Sequence, residues 1–352
     1  MDDIPYHCYP KVKLMSYKEI KEDLKDWRSM IARYQKADHK KALIQILNSK
    51  LPYIGLWVLM YFTYSYSIAL TLLLAVVNAF FLVRIFIIQH DCGHYSFFNN
   101  KKLNDFVGTI CSYFSTIPFK YWARTHAFHH AHTGMLEYRD IGDIDTLTVE
   151  EYRKKSKLGR FIYRVFRSPF VMFVVVPVYY FTVSLRFPTI SLRSISSMNW
   201  AQFRNNLGIA AVYVTLGYLL GWQRFLVVQF SIVFVFMVIA FWFFYIQHQH
   251  ERTYKEWKKN WDSLVASVQG ATFYKLPKLW TWLTGYIGYH HIHHLSSKIP
   301  NYHLVKCADE NPVLMKHVET VSFTESLKMI FNKLWDEENQ RMISFSDFYK
   351  ME

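Results

Sequence analysis

The stretch LPYIGLWVLMYFTYSYSIALTLLLAVVNAFFLV, residues 51–83, decides the fold, because its 33 residues contain no charged side chain. A helix that crosses the roughly 30 Å hydrocarbon core of a membrane needs about 20 apolar residues. The uncharged run continues to Ile88 if Arg84 extends its guanidinium toward the lipid headgroups. That length is too great for one crossing, so we predict a helical hairpin that turns near residues 63–67.

A second apolar run covers residues 205–250, where Arg224 is the one charge in 46 residues. We predict another helical hairpin here, broken at residues 221–224. Two weaker apolar segments, residues 106–119 and 168–185, are shorter than a full crossing. The two long runs exclude a disordered, collagen-like or disulfide-stapled chain, and they make a purely soluble fold very improbable.

The charge of the chain fits a membrane orientation. It has 352 residues, with 41 Lys+Arg against 27 Asp+Glu and a formal net charge of +14. Positive residues collect in the first 50 residues and after Arg186, whereas the two hairpin turns carry almost none, so both long flanks are predicted to be cytoplasmic. Parity then makes residues 168–185 re-entrant or interfacial. This predicts four crossings, with six as the competing count, and no nucleic-acid partner is needed to explain the charge.

Cysteine usage and the start of the chain set two further limits. The four cysteines form no CxxC pair, which favours a reducing compartment and argues against a thiolate metal site. Residues 1–14 contain acids and lysines without an apolar core, so no cleavable signal peptide is predicted. The cysteines are Cys8, Cys92, Cys111 and Cys307.

Two segments outside the apolar runs have helical amphipathic patterns. The first begins with the capping-box pair Ser16 and Glu19 and then repeats large apolar residues at helical spacing. We predict a helix that lies on the cytoplasmic membrane face or packs on the cytosolic part of the protein. The second runs over residues 323–338. The apolar positions are Ile20, Leu24, Trp27, Ile31 and Tyr34 in the first, and Leu327, Ile330, Phe331 and Leu334 in the second.

Ten of the 16 histidines fall in three short clusters near the cytoplasmic ends of the apolar segments. One cluster has the pattern HxxxH, and two have the more demanding pattern HxxHH. Histidines four apart share a helix face, while adjacent ones diverge and can address two different metal ions. The eight pattern positions are His90, His94, His126, His129, His130, His290, His293 and His294.

Eight imidazoles with few thiolates or carboxylates among them suit Fe, Zn, Cu or Ni and not Mg or Ca. They are too many for one tetrahedral zinc ion and fit two metals with open positions. The competing interpretation, unrelated surface histidines, does not explain why three clusters share one depth. No Gly-rich dinucleotide motif or P-loop is present, so electrons for a redox reaction would have to come from another protein. Spacing alone therefore predicts a dinuclear metal site in a membrane protein, without a reaction.

At these residues the chain closely resembles the membrane fatty acid desaturases, and most of all the omega-6 (Δ12-type) acyl-lipid branch. The resemblance extends from about Trp27 to Phe345, and no part looks like a fused cytochrome b5 domain. The motifs that carry it are IQHDCGHYSFF (88–98), RTHAFHHAHTG (124–134), YIQHQHERTY (245–254) and GYHHIHHLSSKIPNYHL (288–304).

The resemblance implies a di-iron enzyme that uses O2 and two electrons, from ferredoxin or cytochrome b5, to place a cis double bond in an acyl chain. It implies that the eight histidines of the three patterns bind two Fe ions and that His248 is a further ligand. These patterns are here called histidine box one (His90, His94), box two (His126, His129, His130) and box three (His290, His293, His294). His250 is not counted, and His291 is expected to be exposed. Carboxylates that could orient the ligands from behind are Asp91, Asp145 and Glu251.

The predicted fold class is an all-α integral membrane protein, with about four transmembrane helices in two hairpins, re-entrant or interfacial segments, and a cytosolic helical cap that holds the dinuclear site. Both termini and all three histidine boxes are predicted to be cytoplasmic. One desaturase domain would span 1–352. Its parts are an amphipathic N-terminal region (1–42), a hairpin (43–89), cap with boxes one and two (90–167), a re-entrant or interfacial part (168–204), a hairpin (205–247), and cap with box three and a C-terminal helix (248–352).

Two rival functions stay open at this point. A hydroxylase, ketolase or epoxygenase with the same histidine boxes would oxidise the same kind of substrate with a different outcome. A membrane metal transporter or sensor would need ionisable groups along a path through mid-membrane, whereas these histidines are predicted to lie at one face.

Overall fold

The computed structural model describes residues 17–187 and 199–352, which form helices and two small sheets. Cys8 and Ser16, used above, lie outside these ranges. The first range contains α1 (Tyr17–Asp23), α2 (Trp27–Ile31), α3 (His39–Thr63), α4 (Ile68–Gly93), α5 (Lys101–Ser115), α6 (Phe119–His132), α7 (Val149–Lys154), α8 (Lys157–Phe166) and α9 (Val176–Tyr179). The second contains α10 (Asn199–Leu220), α11 (Trp222–His248), α12 (Ser263–Gln269), α13 (Lys278–Leu283), α14 (His290–Leu295), α15 (Asn301–Glu310), α16 (Phe323–Met329) and α17 (Phe345–Met351). The strands are β1 (Thr272–Lys275), β2 (Glu319–Ser322), β3 (Leu334–Asp336) and β4 (Arg341–Ile343).

Three of the described helices, α3, α4 and α11, are long and apolar enough to cross a membrane. A fourth candidate is the bent pair of α8 and residues 171–184, whose axes differ by 56°. In that second arm two π-helical turns flank α9. Helix α10, with 22 residues, is also long enough to cross, but polar residues near its start, among them Arg204 and Asn205, lower its hydropathy. Two helical hairpins are therefore present as predicted, while four crossings stay a prediction.

Both predicted hairpin turns lie where the polar residues are. Ser67 ends the first turn and begins α4, because its side-chain oxygen accepts a hydrogen bond from the Leu70 backbone N–H at 3.2 Å. Gly221 separates α10 from α11 with a φ of 85°, a left-handed conformation that glycine adopts without steric cost.

The weak apolar segment at residues 106–119 is not one helix. It ends α5 and leads through Thr116 and Pro118 into α6. The two arms approach closely, because a Cβ on Gly108 would lie 2.4 Å from the Phe119 ring. The Asn205 side-chain oxygen accepts from the Phe119 backbone N–H at 2.8 Å and so ties the start of α6 to α10. This short hairpin places the second histidine box on α6, beside α4.

Arg84 does not extend toward the headgroups as predicted, since it is 1% exposed. Its guanidinium donates to the side-chain oxygens of Ser49 (3.2 Å) and Asn48 (2.9 Å) and to the backbone carbonyl of Trp282. It also lies 3.9 Å from the centre of the Trp282 ring. Carbonyl and hydroxyl oxygens of neighbouring elements accept the hydrogen bonds of this guanidinium, so the Arg84 side chain need not reach water.

The N-terminal amphipathic segment packs on the cap, the second of the two predicted placements. It is divided into α1, α2 and a 3₁₀ turn at Ala32–Gln35. The four buried positions pack in one apolar cluster with α12, α14 and α15, while Trp27 is partly buried at its edge. These four are Ile20, Leu24, Ile31 and Tyr34.

In the cap, the structure differs from two predictions. It is not all-α, because β1 pairs in parallel with β2 and β3 pairs antiparallel with β4. The predicted helix over residues 323–338 ends at Met329, and Leu334 begins β3 instead. Leu334 is fully buried whereas Phe331 is 59% exposed, so the two do not share a helix face. The pairing of Trp335 with Met342 outweighs the local helical pattern.

Two buried cations join the start of the β3–β4 pair to the end of α8. The Arg167 guanidinium is fully buried and donates to the carbonyl oxygens of Asp145 (3.2 Å) and Asn332 (2.9 Å). The Lys333 ammonium donates to the Arg167 carbonyl at 2.5 Å. Burial, aided by the nearby Arg167 charge, lowers the pKa of Lys333 to about 7.

This arrangement predicts a pH dependence of stability. Because Lys333 has an ordinary pKa of 10.5 and a folded pKa of about 7, the unfolded chain binds more protons between these values, and stability rises with pH there. The rise is expected to reach up to about 1.4 kcal/mol per pH unit. Thermal unfolding in detergent should show it for the wild type and for Lys328→Met, an exposed control. Lys333→Met should remove it, and an unchanged pH profile in Lys333→Met would contradict the assignment.

Candidate metal centre

Four elements bring the predicted metal-binding histidines together. They are the C-terminal ends of α4 and α11, which are predicted to face the cytoplasm, together with the helices α6 and α14. Within the described residues, nine histidines form two groups, and in each group the candidate ligand atoms all lie within 4.8 Å of one another. These nine side chains are the nine that the sequence predicts: His90, His94, His126, His130 and His293 in group one, and His129, His248, His290 and His294 in group two.

In group one the imidazoles converge through their Nε2 atoms. The Nε2 atom of His126 lies 3.0 Å from that of His90 and 3.1 Å from that of His130. The Nε2 atoms of His293 and His130 are 3.0 Å apart. The His94 ring lies beside them, 4.7 Å from the His130 ring centre, and its buried Nε2 has no hydrogen-bond partner.

Group two has the same design. The Nε2 atom of His248 lies 3.2 Å from that of His129 and 3.0 Å from that of His290. The Nε2 atoms of His294 and His290 are 3.0 Å apart. The adjacent histidines of boxes two and three therefore divide between the groups, as the HxxHH pattern predicts.

Three of the nine rings are held by hydrogen bonds at their outer nitrogens, so that their inner lone pairs point into the site. The Nδ1 atom of His90 lies 2.8 Å from the Asp91 carboxylate, and that of His248 lies 2.8 Å from the Gly270 carbonyl. The Nδ1 atom of His294 lies 3.2 Å from the Thr133 hydroxyl. An Nδ1–H donor leaves Nε2 as an acceptor, which is the tautomer that binds metals.

This geometry fits two metal ions. Facing lone pairs about 3 Å apart repel one another unless a cation lies between them. Metal–imidazole bonds are about 2.1 Å long, so nitrogens 3.0–3.2 Å apart would lie within reach of one shared ion. Burial lowers the pKa of His129 to about 3, and burial and neighbouring imidazoles hold the pKa of His130 and His293 well below the usual value. The rings are thus neutral at physiological pH, the form that metal binding requires.

The three predicted orienting carboxylates lie in different surroundings. Asp91 is buried, faces His90, and also accepts from the Asn301 backbone N–H at 2.6 Å. The Asp145 carboxylate lies 3.3 Å from Arg139, and that of Glu251 lies 3.6 Å from Arg341. The structure shows neither of the last two on a histidine of the groups, because each belongs to an ion pair at the cap surface.

One buried carboxylate was missed. The Asp143 side chain lies close enough to His129 and His248 for its charge to act on both rings, and 3.9 Å from the Lys255 ammonium. Burial acts to raise the pKa of Asp143, yet the positive charge of Lys255 opposes this effect and the pKa stays below its usual value. Gly142 permits this approach, since a Cβ there would lie 2.9 Å from the His129 Cβ.

The other histidines of residues 17–187 and 199–352 lie outside both groups. His291 is 1% exposed, which contradicts the predicted exposure, because α14 is enclosed on all sides by the cap. His250 is also buried. His132 stacks on Phe128 with ring centres 4.0 Å apart, so its ring turns away from the site.

Asp91→Asn tests the link between α4 and the third box. The amide offers one acceptor oxygen in place of two, so it cannot hold the His90 Nδ1 and the Asn301 backbone N–H as the carboxyl group does, and we expect metal retention to weaken about 10- to 100-fold. Metal content after dialysis against a graded chelator measures this, with Asp347→Asn near the end of the chain as the control. Equal retention in both variants would show that Asp91 does not orient the site.

A cavity of about 410 Å³ reaches both groups from the apolar interior. It lies between α4, α6, α11 and residues 171–185, and its wall includes His90 and His126 from group one and His290 from group two. Most of the remaining wall is apolar, with Phe86, Trp122, Phe181, Ala240 and Phe244 among its residues, while Asp140, Asp143 and Asp145 line one end.

A second face of α4 holds the segment that carries box three. Arg84 binds the Trp282 carbonyl at one end of that segment, and Asp91 binds the Asn301 backbone at the other. Between them, a Cβ on Gly285 would lie 2.8 Å from Ile87, and the Gly285 φ is 59°. Positions 84, 87 and 91 share one helix face, so one face of α4 positions box three while the neighbouring face presents His90 and His94.

The protein thus combines membrane-length helices with nine converging histidines and an apolar cavity. The chain belongs to the fatty acid desaturase family, whose sequence pattern "Fatty acid desaturase" matches residues 48–323. Since this is a family of oxidoreductases, the predicted resemblance and the prediction of an enzyme are confirmed.

Three relatives illustrate the relationship. A Bacillus subtilis protein, "Fatty acid desaturase", is 41% identical over 331 residues, which are 94% of this chain and 93% of that one. The "sn-1 oleoyl-lipid 12-desaturase" of Synechocystis is 28% identical over 63% of each chain. The "sn-1 acyl-lipid omega-3 desaturase (ferredoxin)" of Nostoc is 26% identical over 72% of this chain and 69% of that one.

Proposed function

We propose that this protein introduces a cis double bond into the acyl chain of a membrane lipid. In the balanced reaction the acyl chain loses two hydrogen atoms, while O2 takes these together with two electrons and two protons and becomes two water molecules. The observation that carries the proposal is the apolar cavity whose wall contains histidines of both groups. A chain lying in it would pass beside both metal positions.

The proposed ligands are the five histidines of group one and the four of group two, and the proposed metals are two Fe ions. Bound iron would supply the activation of O2 that breaking unactivated C–H bonds requires. A neutral imidazole set suits iron, and the absence of thiolates among the ligands separates it from soft-metal sites. Asp91 and Thr133 are proposed to hold ring orientation through His90 and His294.

The cavity wall is proposed to select the bond that reacts. Phe86 and Phe181 would border the bound acyl chain. The Trp122 indole stacks on the His126 ring, with ring centres 4.5 Å apart. Apolar walls exclude water, which limits side reactions at the centre. The regiochemistry is proposed to be Δ12/omega-6-like, which the similarity to the Synechocystis 12-desaturase supports.

The electron donor is proposed to be a ferredoxin or a cytochrome b5-type protein. The name of the Nostoc relative, which includes ferredoxin, supports the first. We further propose one desaturase domain over residues 1–352, with four crossings and with the termini and histidine boxes in the cytoplasm. The positive flanks of the hairpins support this orientation.

The proposal is tested by expression in a host that lacks polyunsaturated lipids, followed by mass spectrometry of its fatty acids with location of each double bond. We expect a new cis double bond that depends on His293, with the His293→Ala protein as the matched control. New hydroxy or keto acids without a new alkene would instead identify the hydroxylase or ketolase alternative. Unchanged lipids with a supplied donor, together with zinc and no iron in the purified protein, would favour a metal transporter or sensor.

A further inference from the structure

The segment from Arg153 to Arg167 contains seven Lys or Arg residues and no acid. Some of these cations have partners, since Arg153 and Arg160 contact the Glu352 carboxylate. Three others, Lys155, Lys157 and Arg164, form no ion pair with any carboxylate of the described residues. The segment therefore presents unneutralised positive charge at the surface.

Helix α8, inside this segment, also exposes a continuous apolar face. Leu158, Phe161, Ile162 and Val165 are 66%, 55%, 58% and 44% exposed. Their spacing of three and four residues places them along one side of the helix. The opposite side packs on the cap through Tyr163, which is 7% exposed. An apolar stripe of four large residues on a basic helix is typical of a helix that lies in the plane of a membrane surface.

Two of the basic side chains of α8 lie along one edge of its apolar face. Lys157 and Arg164 are seven residues apart, so they lie on the same edge of the helix, about 10 Å from each other along the axis. They border the apolar face on the side away from Tyr163. A helix immersed to the depth of that face would hold both cations at the level of lipid phosphates.

The position of α8 in the chain agrees with this placement. Its axis is bent by 56° from the apolar arm, residues 171–184, which continues the exposed apolar surface through Phe170 (68% exposed). Basic residues are strongly disfavoured at the centre of a bilayer, so α8 itself does not cross. Phe166, its last residue, lines the cavity that reaches the histidines.

We propose that α8 is an interfacial helix that binds anionic phospholipids of the membrane leaflet next to the cap. Its apolar face enters the boundary between headgroups and acyl chains, and Lys157 and Arg164 bind phosphate groups. An anionic lipid is thereby held beside Phe166, at the edge of the cavity. Charge complementarity and the large exposed apolar residues favour a lipid surface over an acidic protein partner.

The test uses the full-length protein in nanodiscs of phosphatidylcholine, with or without phosphatidylglycerol. A nitroxide is attached to Ile162→Cys in a Cys8→Ser background, since the described cysteines Cys92, Cys111 and Cys307 are buried. Electron paramagnetic resonance then compares access of O2 with access of a water-soluble nickel chelate. We expect the label to be reached by O2 and shielded from the chelate, and the same label at Lys259→Cys, on an exposed loop, to show the reverse.

The charge contribution is measured by native mass spectrometry of retained lipid. Wild-type protein is expected to retain phosphatidylglycerol over phosphatidylcholine, and Lys157→Gln/Arg164→Gln to reduce that preference about tenfold. Lys258→Gln/Lys259→Gln is the matched control and should retain it. A label at Ile162→Cys that is open to the chelate, or that becomes protected only when ferredoxin is added, would overturn the proposal. Equal lipid preference in all three proteins would also overturn it.

Discussion

His293→Ala is expected to abolish the desaturated product, with a loss of at least about 100-fold, while the protein still inserts into the membrane. The His293 Nε2 atom lies 3.0 Å from that of His130 and belongs to group one, so its removal opens one metal position. Orienting residues behind metal ligands already contribute 10- to 100-fold, and a ligand itself contributes more. His126→Ala, on α6, is expected to behave in the same way.

The measurement combines fatty acid analysis with the iron content of the purified protein. His132→Ala is the matched control, because His132 is on α6 as well but its ring lies against Phe128 and outside both groups. It should retain both product and iron. Product formation by His293→Ala at the wild-type rate would remove His293 from the proposed ligand set.

Ala240→Trp is expected to reduce product formation by at least about tenfold without loss of iron. Ala240 lies on α11 and forms part of the cavity wall, so an indole there would occupy space that the acyl chain needs. Overpacking typically costs about 1–3 kcal/mol, which a protein of this size can tolerate. This variant therefore separates the cavity from the metal centre, since the histidines stay intact.

Ala211→Trp is the control, because Ala211 is exposed on α10 and lines no part of the cavity. Both proteins are compared for iron content, membrane yield and the fatty acids they produce. If Ala240→Trp makes the same product at the same rate as Ala211→Trp, the acyl chain does not occupy this cavity.

Local patterns predicted the hairpins and eight of the nine converging histidines, whereas His248 was predicted only from the resemblance to the desaturases. Uncharged length determines the hairpins, and the turns at Ser67 and Gly221 divide each hairpin into its two arms. The HxxHH spacing predicts that neighbouring histidines point to different metals, and in the structure His129 and His130 belong to different groups. No tertiary information is needed for either inference.

Features that depend on contacts with another element were predicted poorly. Arg84 was expected at the headgroups, but Asn48 and the Trp282 carbonyl satisfy it inside the protein. Leu334 continued a helical pattern, yet pairing with Ile343 makes it a strand residue. In both cases a partner on another element outweighs the local preference.

The missed carboxylate has the same explanation. Residues 140–145 contain Asp140, Asp143 and Asp145, and nothing in their order shows which one faces the histidines. The choice follows from Gly142, whose φ of 72° turns the loop against α6 and directs Asp143 inward. A glycine between acids close to a histidine box is the signal that could have indicated it.

The central claim, that the two histidine groups hold two iron ions, is tested most directly by anomalous X-ray diffraction of the purified protein at the iron absorption edge. We predict two anomalous peaks in each molecule, one among the Nε2 atoms of group one and one among those of group two. A single peak, or peaks that appear at the zinc edge and not at the iron edge, would contradict the claim.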